Sequence, residues 1–324
     1  MRHWRTGALL IGLLFAAQGV TLLGGGAIVE RIITLMFIHV VLAVALHIFM
    51  GGSGVVSFGQ IAFMGIGAYA SILFTLSERA RGVALPNLYE PLTGLALPYL
   101  PALIAAGLIA ALFAAIVGLP LMRLSGGAAV IATFALLVIV NVVLLNWNQV
   151  TNGPRTVFGI ERLTNSWTAL GWAAAAVIAA LAFKESRWGL MLRASREDAR
   201  AAEGIGVDIV RMRWIAWVIS AFFTGAAGGL YAHFIGSFGA SAFYLGTTFL
   251  ILAMLVIGGS RSVSGAVIGV IAITILSELL RSAENAINVG GAISVSGATS
   301  LLISLLMLIA LIVRPGGLMG GREL

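Results

Sequence analysis

The chain has 324 residues, 60% of them hydrophobic and only 10% charged, with a mean hydropathy of +1.08. A soluble domain carries about 25% charged residues, so the composition excludes a water-soluble globular protein and marks an integral membrane protein. The net charge of +7 fits the Arg-rich cytoplasmic loops of such proteins rather than a nucleic-acid partner, and the lack of Cys excludes disulfides and thiolate chemistry.

A membrane span needs about 20 mostly apolar residues. In chain order the candidates are 7–24, 32–50, 57–77, 97–119, 128–147, 167–183, 214–235, 246–259, 263–280 and 298–313. The first follows Arg2 and Arg5 and could pass for a secretory signal. No small-x-small cleavage site follows and apolar spans continue, so it reads as an uncleaved first span. The expected fold is an all-α polytopic transmembrane bundle of about ten spans (8–10). It forms a single domain over 1–324, with broken helices at its glycine-rich points. With the N-terminus inside, 13 of the 19 Lys and Arg fall on the cytoplasmic side, which predicts both termini there. The outside loops at 78–96 and 148–166 read as turn-rich loops or short surface helices, the first with Pro86 and Pro91 and the second with Thr151-Asn152-Gly153-Pro154.

Two glycine-rich breaks echo each other. Gly51-Gly52-Ser53-Gly54-Val55-Val56-Ser57 and Gly258-Gly259-Ser260-Arg261-Ser262-Val263-Ser264 agree at five of seven positions. Transporters are often built from repeats whose broken helices line the pathway; chance in a Gly- and Ser-rich chain is the alternative. Ser57, Phe58, Gly59 and Gln60 pair a helix start with polar side chains, and a helix start can receive a carboxylate. Together with Thr133, Gly258 and Gly259 they are the candidate translocation residues. Asn141 and Asn146 offer further polar groups, with hydrogen bonding between helices as the plainer role for each.

Between Lys184 and Arg213 lie 12 of the 31 charged residues in 30 positions. Burying its nine Arg, Lys and Asp residues in lipid would cost on the order of 20–30 kcal/mol, so this loop lies in water. Seven basic against five acidic residues suit a protein partner better than an anionic membrane. Ser195 and Asp198 resemble a capping box that starts a short helix of about two turns, with Gly204 placed to end it. Lys184 is the sole lysine and follows Phe183, so no P-loop can form and ATP hydrolysis would need another subunit. His39, His47 and His233 suit packing or pore lining better than metal binding. No acidic residue sits deep in a span, which disfavours an ion-coupled carrier.

Four stretches resemble the branched-chain amino acid ABC transporter permease family. They are Gly54 to Tyr69, Arg193 to Val207, Ile257-Gly258-Gly259 to Gly269, and Arg314-Pro315-Gly316-Gly317-Leu318-Met319-Gly320. Arg200-Ala201-Ala202 to Gly206 is similar to the Glu-Ala-Ala-x-x-x-Gly loop of importer permeases, with Arg200 where Glu is usual. The resemblance implies a bacterial inner-membrane subunit that pairs with a sister permease, two ATP-binding cassette ATPases and a periplasmic solute-binding protein. The resemblance also implies no cofactor and no enzymatic activity of its own. The solute would be a branched-chain or related small amino acid, with urea, amides or aromatic acids as substrates of relatives. Arg196, Glu197, Asp198, Arg200, Ala201, Ala202, Glu203, Gly204 and Gly206 would then couple to the ATPases. A stand-alone secondary amino-acid carrier or exporter is the alternative.

Overall fold

The computed structural model describes residues 2–22, 26–90, 94, 96–289, 305, 316–320 and 323. In chain order its helices are α1 (Arg2–Leu22), α2 (Gly26–Ser53), α3 (Gln60–Thr75), α4 (Glu78–Ala84), α5 (Tyr99–Leu121), α6 (Gly126–Asn146) and α7 (Asn148–Thr151). They continue as α8 (Ser166–Glu185), α9 (Arg187–Glu197), α10 (Ala199–Gly204), α11 (Ile209–Ile235), α12 (Leu245–Gly258) and α13 (Val263–Val289). A 3₁₀ turn, Ala240–Phe243, leads into α12. Among the described residues the only β pairing is an isolated antiparallel bridge between Val157 and Phe238.

Eight of these helices are long and apolar enough to cross a membrane: α1, α2, α5, α6, α8, α11, α12 with its 3₁₀ turn, and α13. The chain is therefore an all-α polytopic bundle. The expected span 57–77 is shorter in the structure. Its helix α3 starts only at Gln60 and has 16 residues, about 24 Å at 1.5 Å per residue and short of a ~30 Å hydrocarbon layer. The candidate 298–313 lies outside the described residues except for Leu305.

The bundle is organised around α2 and α11. Both are apolar all round rather than along one stripe, which suits a helix enclosed by others, and both are the most deeply buried of the spanning helices. Around them, α8 packs on α2, while α3 and α5 pack on α11. The contacts of α11 depend on its small residues Gly225 to Gly229. A Cβ on Gly228 would collide with the Met64 carbonyl, and one on Gly67 with the Gly225 carbonyl. Such close backbone approach is how membrane helices gain dispersion contact when lipid is as apolar as leucine. Gly228→Val should therefore cost at least about 1–3 kcal/mol through overpacking, read as a lowered melting temperature in detergent. The outer flanks of α5 and α6 expose Leu112, Ile116, Ile131 and Ile139, as lipid-facing surfaces do.

At the end of the bundle away from the charged loop, the turn at 151–154 forms through left-handed Asn152 (φ 62°) and Gly153 (φ 64°). Thr151 Oγ1 donates to the Leu144 carbonyl at 2.6 Å and pins it. His233 is committed to structure here. Its ring bonds Ser71 and Thr75 hydroxyls on one side and the Glu161 carbonyl on the other, each at 3.0–3.1 Å.

Candidate functional site

The first break leaves α2 at Ser53, runs unwound through Gly54 to Gly59 and re-enters helix at Gln60. It lies against α6. The Phe58 N–H donates to Thr133 Oγ1 at 3.4 Å, and a Cβ on Gly59 would stand 2.9 Å from the Thr133 carbonyl. Behind the break is a narrow cavity. Ser57, Phe58, Gln60 and Ile61 form one side, Leu42 and Leu46 of α2 and Thr224 of α11 the back, and Thr248, Ile251 and Leu252 of α12 the other side. In this conformation it has room for about one water molecule.

Two polar side chains in that wall have nothing to bond. Ser57 is 1% and Gln60 3% exposed, and among the described residues neither the Ser57 hydroxyl nor either amide atom of Gln60 has a hydrogen-bond partner. Each unsatisfied buried group costs about 1–3 kcal/mol, a penalty that packing alone gives no reason to keep. The neighbouring hydroxyls differ. Thr224 donates to Ser220 O at 2.8 Å and Thr248 to Tyr244 O at 2.9 Å, each one turn back along the chain. No side chain caps the start of α3 beside them. On the outer side Phe58 stands edge-on to Phe134 and Phe249, centroids 6.0 Å apart in each pair. Both partners are more than a third exposed, so Phe58 separates the cavity from the bundle surface.

Of the candidate translocation residues, the structure brings Ser57, Phe58 and Gln60 to the cavity wall and places Gly59 and Thr133 directly behind them. Gly258 and Gly259 are not in that wall. They form the second break, where Gly258 permits α12 and α13 to touch at Gly265 and Gly269. The two echoing breaks meet: His47 Nδ1–H donates to the Ser260 carbonyl at 3.0 Å, and a Cβ on Gly51 would lie 2.7 Å from that same oxygen. Asn141 and Asn146 are spent on structure, donating to Ala240 O and Val142 O. Thr224 and Thr248 were not legible as cavity residues, because a lone hydroxyl in an apolar span carries no positional signal.

The charged loop narrows in the structure to Ser186–Asp208, because α8 runs to Glu185 and α11 begins at Ile209. Its capping differs from the expectation. Ser195 is buried inside α9 and donates to Leu192 O, while α9 itself starts at Ser186, whose hydroxyl accepts from Gly189 N. Asp198 caps α10 by accepting from Ala201 N at 3.0 Å, and Asp208 caps α11 in the same way. A carboxylate wins this position because it also offsets the positive helix end. Gly206, not Gly204, ends α10. Its φ is +86°, and the bonds Val207 N to Ala202 O and Gly206 N to Glu203 O form a Schellman motif. Asp198→Ala should destabilise α10 by about 1 kcal/mol, seen as faster amide exchange across 199–204.

Of the coupling candidates, Arg196 bonds directly to the first break. Arg196 donates to the Gly51 carbonyl at 2.7 Å, at the negative end of α2, and its stem lies against Gly54. Burial, and then nearby Arg261, push its guanidinium below the usual pKa, while Glu197 opposes them. Glu197, Asp198, Arg200, Ala201, Glu203 and Gly204 face outward, and beside them Ile205 is 79% exposed. Ala202 is buried beneath them.

Comparison with known proteins gives the same direction. The chain is 27% identical to the high-affinity branched-chain amino acid transport system permease protein LivM of Salmonella typhimurium and of Escherichia coli. Each alignment covers 89% of this chain and 69% of the relative. It is 28% identical to the nucleoside ABC transporter permease protein NupC of Lactococcus lactis, over 65% of this chain and 69% of that one. No solved structure matches it. A family profile described as "branched-chain amino acid transport system / permease component" matches residues 28–312. That match covers most of the chain, and the protein belongs to the branched-chain amino acid ABC transporter permease family.

Proposed function

We propose that this chain is the membrane subunit of an importer that moves a small amino acid by alternating access, driven by separate ATPases. The observation that carries the reading is the unpartnered Ser57 hydroxyl and Gln60 amide in an occluded cavity beside the uncapped start of α3. When the cavity opens, those groups and the helix start suit a carboxylate and an ammonium. Leu42, Leu46, Ile251 and Leu252 suit an aliphatic side chain. Residues 198–206 form the coupling helix, whose outward charges and Ile205 would seat in a cytoplasmic ATPase. A sister permease would complete the path, a periplasmic binding protein would deliver solute, and both termini would be cytoplasmic.

The test is reconstitution with the ATPases and sister subunit in proteoliposomes, followed by uptake of radiolabelled leucine presented by its binding protein. The proposal expects uptake that requires ATP hydrolysis. Uptake that persists without the ATPases and collapses with an ion gradient would replace it with a secondary carrier. The NupC relative and the aromatic edge at Phe58 favour a nucleoside as the second reading. Competition of leucine uptake by nucleosides but not by isoleucine or valine would decide for it.

A further inference from the structure

Residues 316–320 and Glu323 fold into the second break and bond both helix ends that it creates. On the α12 side, Leu318 N–H donates to the Ile257 carbonyl at 2.8 Å and Met319 N–H to the Gly258 carbonyl at 3.1 Å. On the α13 side, Glu323 accepts from Val263 N at 3.0 Å, Ser264 N at 3.1 Å and Ser264 Oγ at 2.6 Å. Ser262 Oγ accepts from Gly265 N, and the Ser262 carbonyl from Ala266 N. The first-turn donors of α13 are thus accounted for, two of them by a carboxylate sixty residues away. Gly317 at φ +75° allows the approach, since a Cβ there would lie 2.6 Å from Gly259.

The same carboxylate pairs with Lys184, on the last turn of α8 where the charged loop begins. Both side chains are nearly buried, 13% and 11% exposed. Burial alone would raise the Glu323 pKa, but its bonds to Lys184 and Ser264 outweigh that and hold it below the ordinary carboxylate range. The charged loop is therefore fastened to both breaks: Arg196 holds Gly51 at the first, and Lys184 holds the start of α13, through Glu323, at the second. The helix that precedes the second break, α12, carries Thr248, Ile251 and Leu252 of the cavity wall.

We infer that Glu323 is a positioning residue for transport: it straps the root of the charged loop to the second break, so that movement of the loop shifts α12 against Ser57 and Gln60. The inference rests on the coupling role proposed for residues 198–206. It assigns a separate task to residues 316–320 and Glu323, which sit at the second break rather than in the cavity wall.

The test uses the complete transporter in proteoliposomes, with ATP hydrolysis and uptake of radiolabelled leucine measured together. Glu323→Gln keeps an acceptor for α13 but removes the charge, and Lys184→Gln leaves the cap and removes the cation. Each is expected to lower solute moved per ATP roughly five- to tenfold while hydrolysis continues. The double variant should be no worse than either single, because one link is broken in all three. If Glu323→Gln fails to accumulate, Lys184→Gln alone carries the test. An unchanged ratio in these variants, with Gly206→Trp still uncoupled, overturns the strap and leaves the coupling helix standing. An unchanged ratio in Gly206→Trp as well overturns both. A lower melting temperature with an unchanged ratio marks Glu323 as merely structural and also overturns the inference.

Discussion

Gly206→Trp is expected to leave the protein inserted and the ATPases turning over while uptake falls by roughly tenfold or more. Gly206 occupies the left-handed region at φ +86°, which costs a residue with a Cβ about 1–2 kcal/mol. A Cβ at this position meets open space, so the added side chain starts clear of the bundle. Its effects are confined to the end of α10, where the Schellman bonds to Ala202 O and Glu203 O weaken, and to the surface offered to a partner. Gly206→Ala separates the two, since it strains the backbone without adding bulk and should give a smaller loss. Paired measurement of hydrolysis and uptake checks the result. Normal uptake by the Trp variant would remove the coupling role from 198–206.

Gln60→Leu should divide function from stability. Leucine is close to glutamine in size and ends the burial of an amide whose two polar atoms have no partner. Removing such a penalty of about 1–3 kcal/mol should hold or raise the melting temperature in detergent. Uptake should nonetheless fall about tenfold or more, the equivalent of losing one hydrogen bond to a charged group, at about 1.5–3 kcal/mol. Ser57→Ala should act in the same direction with a smaller effect. A variant that loses stability and keeps its uptake would show that Gln60 serves packing instead.

The spans were legible because a run of about 20 apolar residues has little other physical use, and most predicted ends fall within a few residues of the helices. The misses occur where helices outrun the apolar run. Glu30 and Arg31 lie inside α2, and Arg211 and Arg213 on the first turns of α11. The loop helix was legible in place but not in its caps. Ser195 and Asp198 fit a capping pattern by letter, yet α9, begun at Ser186, absorbs Ser195 and leaves Asp198 to start the next helix. The choice between Gly204 and Gly206 depends on a backbone angle, which composition does not encode. The cavity was half legible: Ser57-Phe58-Gly59-Gln60 stand out as polar residues at an unwound point, whereas Thr224 and Thr248 become neighbours only through packing. The contact of Lys184 with Glu323, 139 residues apart, leaves no local trace at all.

The tightness of the cavity bears on what the cell can keep. Protons cross a membrane along a continuous file of hydrogen-bonded water, and on the proposed path such a file would be interrupted at Phe58 and at a space for about one molecule. If the proposed path runs through this cavity, the protein in this conformation would not leak protons across an energised bilayer, and the unbonded hydroxyl and amide would be the thermodynamic cost of that closure.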